Sequence, residues 1–163
     1  MATSVRPMTH SLLVKTRSKD KQLLLHTFLS GEIDGRDFHH ADHVRVGFEL
    51  LCRHTFPDAL AAYSAALKGI ATRAGNPDAY HETITVAFLS LIAEQHVGGR
   101  YGDFEAFIGE NPELLDKSIL GRWYAPERLL SDVARKTFVM PHGDRLRPKP
   151  GGKGRTRSAG GSQ

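Results

Sequence analysis

Two histidines three residues apart, His40 and His43, open the run that continues with Val44, Gly47, Phe48 and Leu51. Imidazole is the side chain that binds a divalent ion or handles a proton near neutral pH. The six residues fall at i, i+3, i+4, i+7, i+8 and i+11, which is one stripe of a helix, the stripe that turns toward a core. Side chains three apart on a helix have Cβ atoms roughly 5 to 6 Å apart, so two imidazoles can converge on one ion at about 2.0 to 2.1 Å. His39 also pairs with His43, at i+4, but lies about a hundred degrees round the helix from His40 and is expected at the rim. A third histidine, His81, stands in line with Ile84, Thr85, Phe88 and Ile92, again near the start of an apolar stripe.

Near a helix N-terminus the positive end of the backbone dipole disfavours a charged imidazole, and the neutral form is the one that ligates metals. Inward histidines without partners would cost about 1 to 3 kcal/mol each, so the cluster needs something to satisfy it. The expectation is a mononuclear centre of His40, His43 and His81 holding a divalent ion (Fe, Zn or Mn) with open coordination positions. Glu82 would be the general base, and Asp42 or Asp37 would orient the imidazoles from behind. Such a centre implies a small metal-dependent enzyme acting on a small-molecule substrate, with oxygenase and hydrolase chemistry both open. The alternative is a non-catalytic helical binding or interaction module, its histidines bonded to backbone carbonyls, to Tyr80 and to loop carboxylates. Other site types are absent from the sequence: the Glu-x-x-His of diiron bundles, H-E-x-x-H, cysteine zinc patterns, glycine-rich phosphate loops and G-x-S-x-G.

Helices must position these residues, and their ends are marked by proline, asparagine and glycine. Asn76-Pro77 and Asn111-Pro112 read as capped starts, Pro57 and Pro126 as two more, and Gly31, Gly75 and Gly98-Gly99 as stops. The reading gives helices over residues 18–29, 38–53, 57–73 and 77–96, with shorter ones near 103–109, 112–120 and 126–136. The fold class expected is all-α, an up-down bundle of four main helices followed by two or three shorter C-terminal ones. In that order the second and fourth helices run parallel, which brings His43 and His81 to one end with His26, Glu32, Asp34 and Asp37 nearby. The β-branched run Thr83 to Val86 could form a strand, but no other segment offers it a partner.

Phe38-x-His40-x-x-His43, Tyr80-His81-Glu82-Thr83-x-Thr85 and the run from Asn111 to Asp116 together resemble a group of small bacterial helical proteins that carry these motifs, over roughly residues 20 to 141. The resemblance ties the two histidine segments to each other and implies no particular reaction.

The chain has 163 residues and a formal charge of +4, but the charge is unevenly placed. His142 to Gln163 carries six Lys and Arg against Asp144 alone, a net +5, which leaves −1 on everything before it. Three domains of behaviour follow: a flexible segment 1–17, one helical domain 18–141, and a basic tail 142–163 whose Gly, Pro and Ser content cannot offset the entropy of ordering. Only the tail suits nucleic acid, in weak and sequence-blind contact. A single cysteine, Cys52, excludes a disulfide framework, and no apolar run approaches the roughly 18 residues of a membrane span. A cytoplasmic protein is expected, with homo-oligomer formation open. Cys52 reads as a small buried residue, and Arg135 as a partner for Asp132 or Asp116.

Overall fold

The apolar stripes of the sequence do become helices. A computed structural model describes residues 23–141, within which every regular element is helical and no strand occurs. The terminal segments 1–17 and 142–163 lie outside the described residues, as do residues 18–22 at the start of the first expected helix. Helix α1 spans residues 23–30, α2 His40–Leu51, α3 Phe56–Arg73, α4 Glu82–Gly98, α5 Phe104–Glu110, α6 Pro126–Leu129 and α7 Asp132–Lys136, with 3-10 turns at Pro77–Ala79, Pro112–Leu115 and Ile119–Arg122. Gly31 and Gly75 take the left-handed φ of 72° that ends a helix without a Cβ clash.

Proline and asparagine mark starts less well than glycine marks stops. Asn76-Pro77 opens only a three-residue 3-10 turn, Asn76 makes no cap bond, and Tyr80 is extended at φ −69°, ψ 140°. The long helix therefore begins at Glu82, with His81 as its N-cap, rather than at Pro77. Asn111 does not cap either: its amide donates back to the Phe107 carbonyl at 2.8 Å. The last expected helix is broken in two because the Ser131 hydroxyl accepts from the Ala134 amide at 3.2 Å and caps a new helix there. The Thr83 to Val86 run is helical, and buried Thr83 ties α4 to the C-terminal segment, donating to the Thr137 carbonyl at 2.8 Å and accepting from the Val139 amide at 3.1 Å.

Helix α4 packs against α2, α3 and α7. It buries Thr83, Thr85, Ala87, Phe88, Leu89 and Ile92, more than one face's worth, as a central helix must. Close approach to α2 requires Gly47, where a Cβ would stand 2.9 Å from Ile92 Cδ1 and 3.2 Å from Leu89 Cδ1. Two apolar cores result. One gathers Phe48, Phe88, Ile92, Phe107, Leu114 and Leu120, the other Phe28, Phe38, Val46, Leu50, Tyr63 and Ile70. Cys52 is exposed rather than buried, its Sγ 3.4 Å from His96 Nε2. No helix among the described residues is long and apolar enough to cross a membrane.

Candidate functional site

A cavity of about 1180 Å³ opens where the loop after α1, the first turns of α2, the inner face of α3 and the start of α4 meet. His40, His43 and His81 all line it, as the stripe positions predict, and so do Tyr63, Tyr80, Phe88 and Lys117. Glu82 is not among its walls and instead pairs with Lys68 at 3.2 Å. Glu32 and Asp34 reach the rim, where Asp34 is held by Arg36, whereas His26 is exposed and outside the cavity. His39 is exposed as expected; its amide donates to the Asp42 carboxylate at 2.9 Å and its ring faces the Asp37 carbonyl at 2.9 Å. Asp42 and Asp37 thus serve the helix start and not the inward imidazoles.

The three inward histidines divide into different jobs. His81 is consumed: Nδ1 accepts from the Ile84 amide at 3.3 Å, and Nε2 donates to the Leu129 carbonyl at 2.9 Å. With both nitrogens engaged, it caps α4 and tethers α6. His40 Nε2 donates to the Leu114 carbonyl at 2.9 Å, across the molecule, and the ring meets Phe88 edge-on at 5.0 Å. Its Nδ1 keeps a lone pair. His43 packs on Phe38 at 4.2 Å between centroids, with Nδ1 3.4 Å from the Tyr63 hydroxyl. That hydroxyl has one proton, donated to the His43 carbonyl at 3.2 Å, so the contact with Nδ1 needs the proton on Nδ1. The lone pair is then on Nε2. No described residue partners Nε2.

Electrostatics keep these rings uncharged. Burial pushes His43 down from 6.5 to about 4, with His40 and Lys117 adding to the effect and Asp42 opposing it. His40 is lowered by burial against the pull of the Leu114 carbonyl, and His81 by burial against that of the Leu129 carbonyl, with Arg135 adding. Burial raises the Tyr63 phenol, so it too stays neutral. A neutral His43 is a ready acceptor but a weak base at neutral pH, because effective general bases titrate near the working pH.

Among the described residues no group of three or more His, Cys, Asp or Glu is arranged to hold a metal ion. His81 has no lone pair to offer, since its Nδ1 accepts from the Ile84 amide. Two unspent imidazole lone pairs remain, on His40 and His43.

Tyr80, named in the alternative reading as a partner for the histidines, lines the cavity but bonds to none of them. The Tyr80 hydroxyl is buried and makes no hydrogen bond of close geometry, its side-chain partner being the Lys68 ammonium. Lys68 stands over its ring, 4.7 Å from the centroid. Tyr63 carried a readable signal, a phenol within the α3 stripe of Leu60, Leu67 and Ile70, since a buried hydroxyl needs a partner. Lys117 carried none, arriving from a loop remote in sequence. Arg135, expected to meet Asp132 or Asp116, donates to the Asp78 carbonyl. Comparison with protein-family models, curated proteins and solved structures finds no match to this chain.

Proposed function

We propose that this protein binds a small molecule in the histidine-lined cavity, the imidazoles acting as neutral hydrogen-bonding groups in a largely apolar wall. The observation that carries the reading is the cavity of about 1180 Å³ itself, lined mostly by apolar side chains together with His40 and His43, each with one ring nitrogen that no described residue partners. Polar groups in such a wall are nearly always satisfied, and unpartnered imidazole nitrogens on cavity-lining residues are what a ligand would complete. Large concave spaces with a few convergent polar groups are the usual form of small-molecule sites. An up-down order of α1 to α4, with α2 and α4 parallel, is the bundle arrangement we propose to explain why the starts of both helices face one cavity. The test is amide chemical-shift mapping with neutral aromatic fragments such as indole and benzamide. Shifts concentrated on Val44, Ile84 and Phe88 are expected. Shifts scattered over the surface, or none, would overturn the reading.

A metal-dependent enzyme is the second reading, favoured by the lone pairs left on neutral His40 and His43. A divalent ion (Fe, Zn or Mn) would then be held by those two residues with water or substrate completing its shell, while His81 caps α4. Glu82, paired to Lys68, would have to leave that ion pair to act as a base. Elemental analysis of untagged protein tests this: stoichiometric metal that is lost in His43→Ala supports it, and substoichiometric metal unchanged by that substitution sinks it.

A further inference from the structure

Independently of the cavity, we infer that the C-terminal part of the chain is a docking surface for an anionic lipid membrane, its apolar side chains entering the interface while Lys and Arg meet the headgroups. Ten large hydrophobic side chains are exposed among the described residues, and five of them, Trp123, Leu130, Val133, Phe138 and Met140, fall within residues 123–140. The other five are spread over residues 23–115. Leu130, Val133 and Met140 are 66, 61 and 61 % exposed, so packing within the fold does not account for them. Hydrogen bonds close this stretch on itself: Arg128 Nε donates to the Met140 carbonyl at 3.0 Å, the Tyr124 hydroxyl to the Val139 carbonyl at 2.9 Å and the Thr137 amide to the Val133 carbonyl at 2.9 Å. Val139 packs on the core while its neighbours Phe138 and Met140 remain exposed.

Charge names the occupant. Residues 122–163 carry ten Lys and Arg against Glu127, Asp132 and Asp144, a net +7, whereas the 121 residues before them carry −3. Clustered exposed apolar residues mark interaction sites, and an anionic bilayer surface is the partner that takes an apolar and a cationic contribution from one region. Nucleic acid would engage the cations alone, since a phosphate backbone gives Leu130, Val133 and Met140 nothing to pack against. A second copy of the chain would set like charge against like. Attachment to a membrane surface takes two signals, each weak by itself, and here they adjoin in sequence. The contact is peripheral, because no helix among the described residues is long and apolar enough to cross a membrane.

The test is sedimentation of the full chain with vesicles of phosphatidylcholine alone, or containing about 30 % phosphatidylserine, with Trp123 emission followed in parallel. Trp123 is the chain's one tryptophan and is 44 % exposed, so it reports entry into the interface. The phosphatidylserine vesicles are expected to carry the protein down and shift the emission to the blue, and the neutral vesicles to do neither. Combined Leu130→Ser, Val133→Ser and Met140→Ser should weaken binding at least about tenfold, with an unchanged melting temperature showing that the variant folds. Removal of residues 143–163, or salt raised to about 0.5 M, should weaken it by a similar factor. No sedimentation with phosphatidylserine vesicles would overturn the inference, and so would binding that the three serines leave unchanged with Trp123 emission unmoved. If a duplex oligonucleotide binds where the vesicles do not, the basic end serves nucleic acid and the inference fails.

Discussion

His43 carries the clearest consequence at the scale of a residue. Its pKa is about 4 in the folded chain against an ordinary 6.5, so as pH falls the unfolded chain takes up the proton first. Stability present above pH 6.5 is therefore lost as pH falls toward about 4, and the dependence ceases once both states are protonated. The term amounts to about 3 kcal/mol, with His40 and His81 adding to it in the same direction. Urea unfolding at pH 7 and pH 4.5 should show the loss, and His43→Gln should show less of it. Tyr80 predicts the reverse of a usual core substitution. Removing a buried hydroxyl that makes no close hydrogen bond and has only the Lys68 ammonium near it should raise the stability of Tyr80→Phe by about 1 kcal/mol, measured in the same way. The inward setting of His40 and His43 was legible because both share a helical stripe with Val44, Phe48 and Leu51. What their nitrogens bond to was not, since Leu114 and Tyr63 come from distant parts of the chain.

At the scale of an element, α4 is the part whose start the sequence misplaces. A proline after asparagine is compatible with an α-helix or a single 3-10 turn, and only the extended Tyr80 and the His81 cap distinguish them. His81→Ala, losing the bonds to the Ile84 amide and the Leu129 carbonyl, should destabilise the protein by about 1 to 3 kcal/mol. Thermal unfolding checks this, and a change below a few tenths would show that the cap is dispensable. The contact between α2 and α4 depends on Gly47 having no side chain. Gly47→Val would press on Ile92 and Leu89 and should cost about 1 to 3 kcal/mol, read as a lower urea midpoint with an unchanged slope. Glycine stops at Gly31 and Gly75 were legible because each takes a positive φ that other residues resist.

Across the whole molecule, two apolar cores and the helices between them leave a cavity, and the charge lies mostly elsewhere. The net +5 of residues 142–163 against −1 for the rest of the chain predicts that any salt-dependent nucleic-acid binding disappears when residues 143–163 are removed. Binding that survived would place it on the helical body. The all-helical class was legible from periodicity and the convergence of two histidine segments from the stripes they begin. The division of labour among those histidines was not, because it is set by carbonyls and a phenol brought in by tertiary packing. The central claim, that the imidazoles are neutral hydrogen-bonding groups and not one three-ligand metal centre, is tested most directly by long-range proton–nitrogen correlation spectra of the histidine side chains at pH 7, before and after one equivalent of zinc. The account predicts neutral rings, with the proton on Nδ1 of His43 and on Nε2 of His81, and His81 signals that zinc leaves in place. Stoichiometric zinc shifting His40, His43 and His81 together would contradict it.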